Sequence, residues 1–273
     1  MQAQTTTKAV ILARGLGTRM RAPDSAAALD TAAAAVADSG VKAMIPVGRP
    51  FLDYVLSALA DAGFTDACLV IGPEHGAVRK HYEIDARPAR IRVRFAVQRQ
   101  PLGTADAVLA AEEFAAGDPF VVLNSDNYYP AAALAELHRR SELAMVAFAR
   151  DALIERGNVP RERVARFGAI EVDAAGMLRS MTSDEARAAA STGGRVYCSM
   201  NCWLLTSAIF AACRDVPLSR RGEKELTQAV QHAIDALGAR FEVVFSRDPV
   251  LDLSSRADVA RVAKFLREVD PRP

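Results

Sequence analysis

Short apolar runs rich in β-forming residues alternate with helical patterns through the first half of the chain. That alternation is the strongest constraint on its fold. Lys8 to Leu12 reads as a strand. Pro50 sits where a helix tolerates it, in the first turn, and Phe51, Leu52, Val55, Leu56 and Leu59 then mark one helical face, closed by Gly63. Cys68 to Ile71 and Ile91 to Val97 read as further strands, a helix is expected over 104–115, and Phe120 to Leu123 returns to strand. This period of strand, turn and helix predicts βαβ units and a mainly parallel sheet, with ligands at the carboxyl ends of the strands.

The pattern changes over residues 143–206. Ala144 to Ala149, Val164 to Val172 and Arg195 to Leu205 read as longer, more antiparallel strands, with Asp173-Ala-Ala-Gly176 as a hairpin turn. Helices resume over 222–237 and 255–269. In the second, Val259, Val262, Ala263, Leu266 and Val269 fall at helical spacing behind a Ser255 cap. No internal repeat and no Pro-, Gly- and Ser-rich linker divides the chain. One α/β domain over 1–273 with an inserted β-rich lobe is expected. Residues 25–38 form an alanine-rich stretch that favours a short helix by propensity.

Composition excludes several classes of function. The 273 residues suffice for a core without disulfide or metal staples. With Lys plus Arg at 34 and Asp plus Glu at 33, the net charge of +1 lacks the basic excess of a nucleic-acid binder. The apolar run Ala9 to Ala13, ended by Arg14, is too short for a secretory segment or a membrane span, so no membrane association and a cytoplasmic location are expected. Cys68, Cys198, Cys202 and Cys213 form no CxxC pair and read as reduced, buried thiols. His75, His81, His138 and His232 show no metal or triad spacing. Arg87, Arg90, Arg92 and Arg94 make a basic edge that reads as a solvated face, and Tyr128 and Tyr129 as packing residues or a stacking surface.

The sharpest local pattern follows the first strand: Leu12-Ala13-Arg14-Gly15-Leu16-Gly17-Thr18-Arg19-Met20. Two closely spaced glycines after a strand let backbone N–H groups approach phosphate oxygens. A dinucleotide fingerprint needs a third glycine where Met20 stands, and a Walker loop needs a Gly-Lys-Ser/Thr that is absent here. Gly-x-Gly-Thr-Arg remains, with Arg19 as a bidentate cation for a phosphate.

Further along come Lys42-Ala-Met-Ile-Pro46-Val, Gln98-Arg-Gln-Pro-Leu-Gly103-Thr104-Ala, Asn124-Ser-Asp126-Asn127 and Val250-Leu-Asp252-Leu-Ser254. With these the chain resembles the sugar-1-phosphate nucleotidyltransferases (NDP-sugar pyrophosphorylases) over nearly its whole length and in that family's motif order. It is nearest to a branch that includes enzymes acting on pseudo-sugar (cyclitol) phosphates. The resemblance implies a three-layer αβα nucleotidyltransferase fold, Rossmann-like and of GT-A type, with a mixed, mainly parallel sheet. It places nucleotide binding in about 1–140 and sugar-phosphate binding in about 141–273, and it leaves homo-oligomers open. No left-handed β-helix domain is expected after the last helix.

The implied reaction is Mg²⁺-dependent, in-line attack of a sugar-1-phosphate oxygen on the α-phosphorus of an NTP, with pyrophosphate released and no general base needed. By matching motif, Asp126 and Asp252 are the metal ligands, Arg19 orients the triphosphate, and Lys42 stabilises charge at the α-phosphate. Asp126 and Asp252 each end an apolar run, which predicts that both carboxylates emerge at one edge of the sheet. Ala13, Arg14, Gly15, Leu16, Gly17 and Thr18 form the expected nucleotide loop; Gln98, Gly103 and Thr104 form the base site. Asn127, Gly168, Glu185, Asn201 and Arg221 are the expected sugar-phosphate residues.

Departures from the family pattern bear on the substrate. Arg14 stands where the family has Ala or Gly, either as an extra cation beside the triphosphate or pointing to solvent. Residues 20–41 separate Arg19 from Lys42, about one helix more than usual, so the alanine-rich stretch is a candidate lid. The Glu-Lys-Pro expected after Gly176 is replaced by Thr182-Ser-Asp-Glu185, which removes the lysine that grips the sugar phosphate; Arg179, Arg221 and Arg14 are candidate replacements. A cyclitol phosphate or unusual hexose phosphate follows as acceptor. The alternatives are a GT-A glycosyltransferase, whose Asp-x-Asp is not matched by Asn124-Ser-Asp126, and a non-catalytic nucleotide-sugar sensor.

Overall fold

The central strand, β1 (Lys8–Leu12), is apolar on both faces because both faces are covered, as parallel sheets require. In the computed structural model, which describes residues 5–24, 27 and 29–273, it pairs in parallel with β2 (Asp66–Ile71) and β4 (Phe120–Asn124). β3 (Arg92–Val97) extends the sheet beyond β2, again in parallel. The expected βαβ half is therefore present.

The second half turns the sheet mixed. β9 (Tyr197–Leu205) runs antiparallel to both β4 and β6 (Ala144–Ala149), and β10 (Glu242–Ser246) closes that side in parallel with β6. The path is β10-β6-β9-β4-β1-β2-β3. β7 (Ala169–Val172) pairs with β9 through Ala169 and with β8 (Leu178–Thr182), and this hairpin forms the inserted lobe. Its turn is the Asp173–Gly176 stretch, where Gly176 adopts φ 76°. β5 (Asn127–Tyr128) and β11 (Leu251–Asp252) form a separate two-stranded ladder.

Two apolar layers flank the sheet. On one face Ile11, Leu69, Leu123 and Phe148 pack with the helices Phe51–Asp61, Ala131–His138 and Arg256–Leu266. On the other, Val10, Val122, Met145 and Trp203 pack with Thr104–Ala110, Ile209–Asp215 and Leu226–Leu237. This is the three-layer arrangement expected. The last helix starts where Ser255 predicted, in a capping box closed by Asp258.

Several boundaries differ from the sequence reading. Residues 164–168 are not strand: Pro160 opens a helical turn, Arg161–Val164, and β7 begins only at Ala169. The helix expected over 104–115 breaks at Ala111 into Thr104–Ala110 and Glu112–Ala115. The helix expected from 222 begins at Leu226, because Gly222 is left-handed and Lys224 is held alongside the 102–105 loop, donating to Leu102 O at 2.6 Å and accepting from Ala105 N at 2.9 Å. The helix expected over 255–269 ends at Leu266.

Within the alanine-rich stretch, residues 25, 26 and 28 lie outside the described residues. The rest contains the helix Thr31–Ser39, capped by Asp30, whose carboxylate accepts from Ala33 N at 2.7 Å. Arg256 ties this helix to the last one through Asp38. Arg90 and Arg92 of the basic edge pair with Asp61 and Asp66, as a solvated face would. No described helix is long and apolar enough to cross a membrane.

All four cysteines are buried, and burial pushes the thiols of Cys68, Cys198 and Cys213 up to about 12 and that of Cys202 higher still. Thiolate is the reactive form. The native protein is therefore expected to leave its thiols unmodified by a disulfide reagent at pH 8, with all four titrating after denaturation; rapid native labelling would contradict this packing.

Candidate active site

After β1 the chain leaves the sheet at Ala13, whose N–H donates to Val70 O at 2.9 Å. Arg14, Gly15 and Leu16 then form the rim of a cavity of about 240 Å³. The two glycines of this loop have different duties. Gly17 is left-handed (φ 62°), and a Cβ there would lie 2.2 Å from Gly40 O, so it is required by its packing against the end of the Thr31–Ser39 helix. A Cβ on Gly15 would meet nothing within 4 Å. Gly15 leaves room in the cavity itself.

Gln98, also buried, lines the same cavity. Its amide nitrogen donates to Gly103 O at 3.0 Å and Asp106 Oδ2 at 2.8 Å, which leaves its carbonyl oxygen without a partner among the described residues. Gly103 adopts φ 102°, and a Cβ there would fall 2.5 Å from Lys224 O. Thr104 anchors the same junction, its hydroxyl accepting from Leu226 N at 2.8 Å. The Arg221–Glu225 stretch thus abuts this first cavity, and Glu223 lines it.

The Arg14 side chain is only 8% exposed and lines the cavity rather than pointing to solvent. Its Nε stands 3.4 Å from Glu74 Oε1 and its Nη2 donates to Glu74 Oε2 at 3.5 Å, while Nη1 has no partner among the described residues. An unpartnered buried donor is costly, and Nη1 is one.

Asn124 and Asp126 line this cavity and also a second one, of about 440 Å³. Arg19, Asn127, Gly168, Asn201 and Asp252 line the second. Lys42 reaches from its helical turn, Lys42–Met44, to Asp126 Oδ2 at 2.8 Å. Asp252 does not end a strand of the main sheet, contrary to the sequence expectation. It lies on β11, whose ladder sets Asp252 opposite Asn127, and Leu253 N donates to Asp126 O at 2.8 Å. The result is the expected convergence by another route.

The buried Asp252 carboxylate accepts from Ser254 Oγ at 2.8 Å and Arg163 Nη1 at 2.7 Å. Burial pushes this carboxyl above the usual range and the Asp126 charge adds to the shift, while Arg163 and Ser254 oppose it. Two mutually repelling carboxylates, each balanced by one cationic side chain, are a donor set suited to a hard divalent cation. No cluster of three or more His, Cys, Asp or Glu exists among the described residues, so the remaining ligands would come from phosphate or water.

Other expected residues lie elsewhere. Gly17 and Thr18 line neither cavity and shape the loop instead. Arg19 lines the second cavity and not the first. Glu185 pairs with Arg150 at 2.6 Å, and Arg221 pairs with Glu225 at 2.8 Å; neither lines a cavity described above. Tyr129 is a buried strut, its hydroxyl donating to Met200 O at 2.6 Å. The helix Thr31–Ser39 lines neither cavity; Gly40 at its end packs against Gly17 and so buttresses the glycine loop. Sequence reasoning missed Arg163 and Arg166, both in the second cavity. The available sign was the cationic run Arg161-Glu-Arg163-Val-Ala-Arg166 just before Phe167-Gly168.

Residues 8–253 match the model of the nucleotidyl transferase family. The chain belongs to that family. Among its relatives is a glucose-1-phosphate thymidylyltransferase of Streptomyces antibioticus, 30% identical over 97% of this chain and 68% of the relative. A UTP–glucose-1-phosphate uridylyltransferase of Haloferax volcanii is 26% identical over 88% of this chain and 93% of its own. Among solved structures, the inositol-1-phosphate CTP transferase of T. maritima superposes with a TM-score of 0.73 at 16% identity, covering 97% of each chain. This nucleotidyltransferase thus shares its fold with those enzymes.

The glycine loop yields a contrast within one motif. Gly17→Ala is expected to destabilise the enzyme by about 1–3 kcal/mol, through left-handed strain and the clash with Gly40. Gly15→Ala should leave the melting temperature within about 2 °C of the parent. Equal thermal shifts for the two would contradict these assignments.

Proposed function

We propose that this nucleotidyltransferase couples an NTP to a sugar-like 1-phosphate, giving an NDP-sugar and pyrophosphate. The observation that carries the reading is that Asp126 lines two adjoining cavities at once. The nucleotide takes the first cavity, with its base between Gln98 and the Gly103 backbone and its phosphates over Ala13–Leu16. The acceptor takes the second, beside Asn127, Gly168 and Asn201. A non-bridging oxygen of the acceptor phosphate forms a bond to the α-phosphorus, the bond to the bridging α–β oxygen breaks, and pyrophosphate leaves with that electron pair. The acceptor phosphate is already ionised, so no side chain takes a proton.

This chain's residues position the two phosphates and offset their charge. Lys42, held 2.8 Å from Asp126, places its ammonium where the cavities meet and where charge accumulates on the α-phosphoryl oxygens. Arg19 approaches the phosphates from the second cavity. Arg14 offers its unpartnered Nη1 to an acceptor on the nucleotide. Mg²⁺, held by Asp126 and Asp252, would supply Lewis-acid neutralisation of the phosphate charge. Buried, high-pKa thiols suit a cytoplasmic setting.

The glucose-1-phosphate relatives make that compound the first acceptor to try, and no lysine among the described residues lines the second cavity, which makes cyclitol 1-phosphates the second class to try. The test is pyrophosphate release from a matrix of NTPs with hexose and cyclitol 1-phosphates, with Mg²⁺ and with EDTA. Metal-dependent release from one preferred pair is expected. Release that persists in EDTA would overturn the metal role, and silence across the matrix with intact nucleotide-sugar binding would favour a sensor.

A further inference from the structure

The second cavity carries more positive charge than the expected residues account for. Arg19, Arg163 and Arg166 all line it, against the two carboxylates Asp126 and Asp252. Arg163 is spoken for: it bonds Asp252 at 2.7 Å and Asp258 at 3.2 Å. Arg19 and Arg166 make no ion pair or side-chain hydrogen bond among the described residues. The other candidate cations are committed elsewhere. Arg179 pairs with the buried Glu171 at 3.5 Å, Arg221 with Glu225, and Arg14 lines the first cavity; neither Arg179 nor Arg221 lines the second.

We propose that Arg166 grips the phosphate of the acceptor. This rests on the reading of the second cavity as the acceptor site. The local geometry supports it. Arg163 lies in the helical turn Arg161–Val164, and Arg166 N donates to Arg163 O at 3.1 Å, so the two side chains are three residues apart on one continuing turn. Arg163 pins that turn to Asp252 and to the capping carboxylate of the last helix. Arg166, exposed and without a counter-charge, then presents a planar fork of donors at the cavity wall next to Phe167 and Gly168. A phosphate monoester dianion matches a fork of that shape and charge. Arg19, on the short helix Thr18–Arg21 that follows the glycine loop, is left for the nucleotide's phosphates.

The test compares Arg166→Ala, Arg166→Lys and Arg161→Ala, the last a neighbouring cation that does not line the cavity. For the acceptor that the parent enzyme uses, Arg166→Ala is expected to raise KM about 10- to 100-fold, the usual worth of one charged hydrogen bond, with KM for the NTP unchanged within about twofold. Arg166→Lys should recover part of the loss, and Arg161→Ala should match the parent. Calorimetric binding of glucose 1-phosphate, read without turnover, separates this proposal from the reaction itself. An inactive parent whose glucose 1-phosphate affinity still falls about tenfold or more in Arg166→Ala would sink the reaction and keep the grip. Unchanged acceptor KM and affinity in Arg166→Ala, or an equal rise in KM for the NTP, would overturn the grip.

Discussion

The short ladder between β5 and β11 is the constraint on which the site depends. It pairs residues from the middle and the end of the chain, Asn127 with Asp252, and so brings two carboxylates together that would otherwise repel each other across water. The cost of that approach is visible in the raised pKa of Asp252, caused first by burial and then by Asp126. Lys42 and Arg163 offset it, one on each carboxylate, and each comes from a different part of the fold. Asn158 reinforces the ladder from the side, accepting from Asp252 N at 2.8 Å and donating to Asp252 O at 2.7 Å. The backbone of β11 is therefore fixed on both edges, and its aspartate has little freedom to withdraw.

Close backbone packing also shapes the first cavity. Gly103 lets the Glu223–Lys224 backbone come close enough to bond Leu102 and Ala105, and Thr104 receives the first N–H of the following helix. One stretch near the end of the chain thereby closes the first cavity without contributing its own arginine to it. Arg221 instead pairs with Glu225 on the outer side. Here the backbone of Arg221–Glu225, rather than its arginine side chain, shapes the cavity.

Much of this was legible in the sequence. The βαβ half could be read because its strands are continuous apolar runs punctuated by glycine and proline, a local signal that tertiary contacts did not override. Asp126 could be placed because it follows such a run. Asp252 lies beside Asp126 by a route the sequence did not show: its two-residue strand belongs to a separate ladder, and a pairing across more than a hundred residues leaves no periodic trace. Arg163 and Arg166 escaped because a run of arginines and glutamates has the pattern of a solvated face, and only the fold shows that the turn carrying it faces a cavity. The start of β7 was placed too early for a related reason. Val164 favours strand by its branching, but Pro160 and the Arg163 bonds to Asp252 and Asp258 hold it in a helical turn.

The divalent-cation site proposed at Asp126 and Asp252 is tested by the binding of Mn²⁺ alone, followed by the loss of the free-ion paramagnetic resonance signal, in the parent and in Asp126→Asn and Asp252→Asn. One site per chain is expected in the parent, weakened about tenfold or more by either substitution. Parent-like Mn²⁺ affinity in both variants, with their folds intact, would rule that site out.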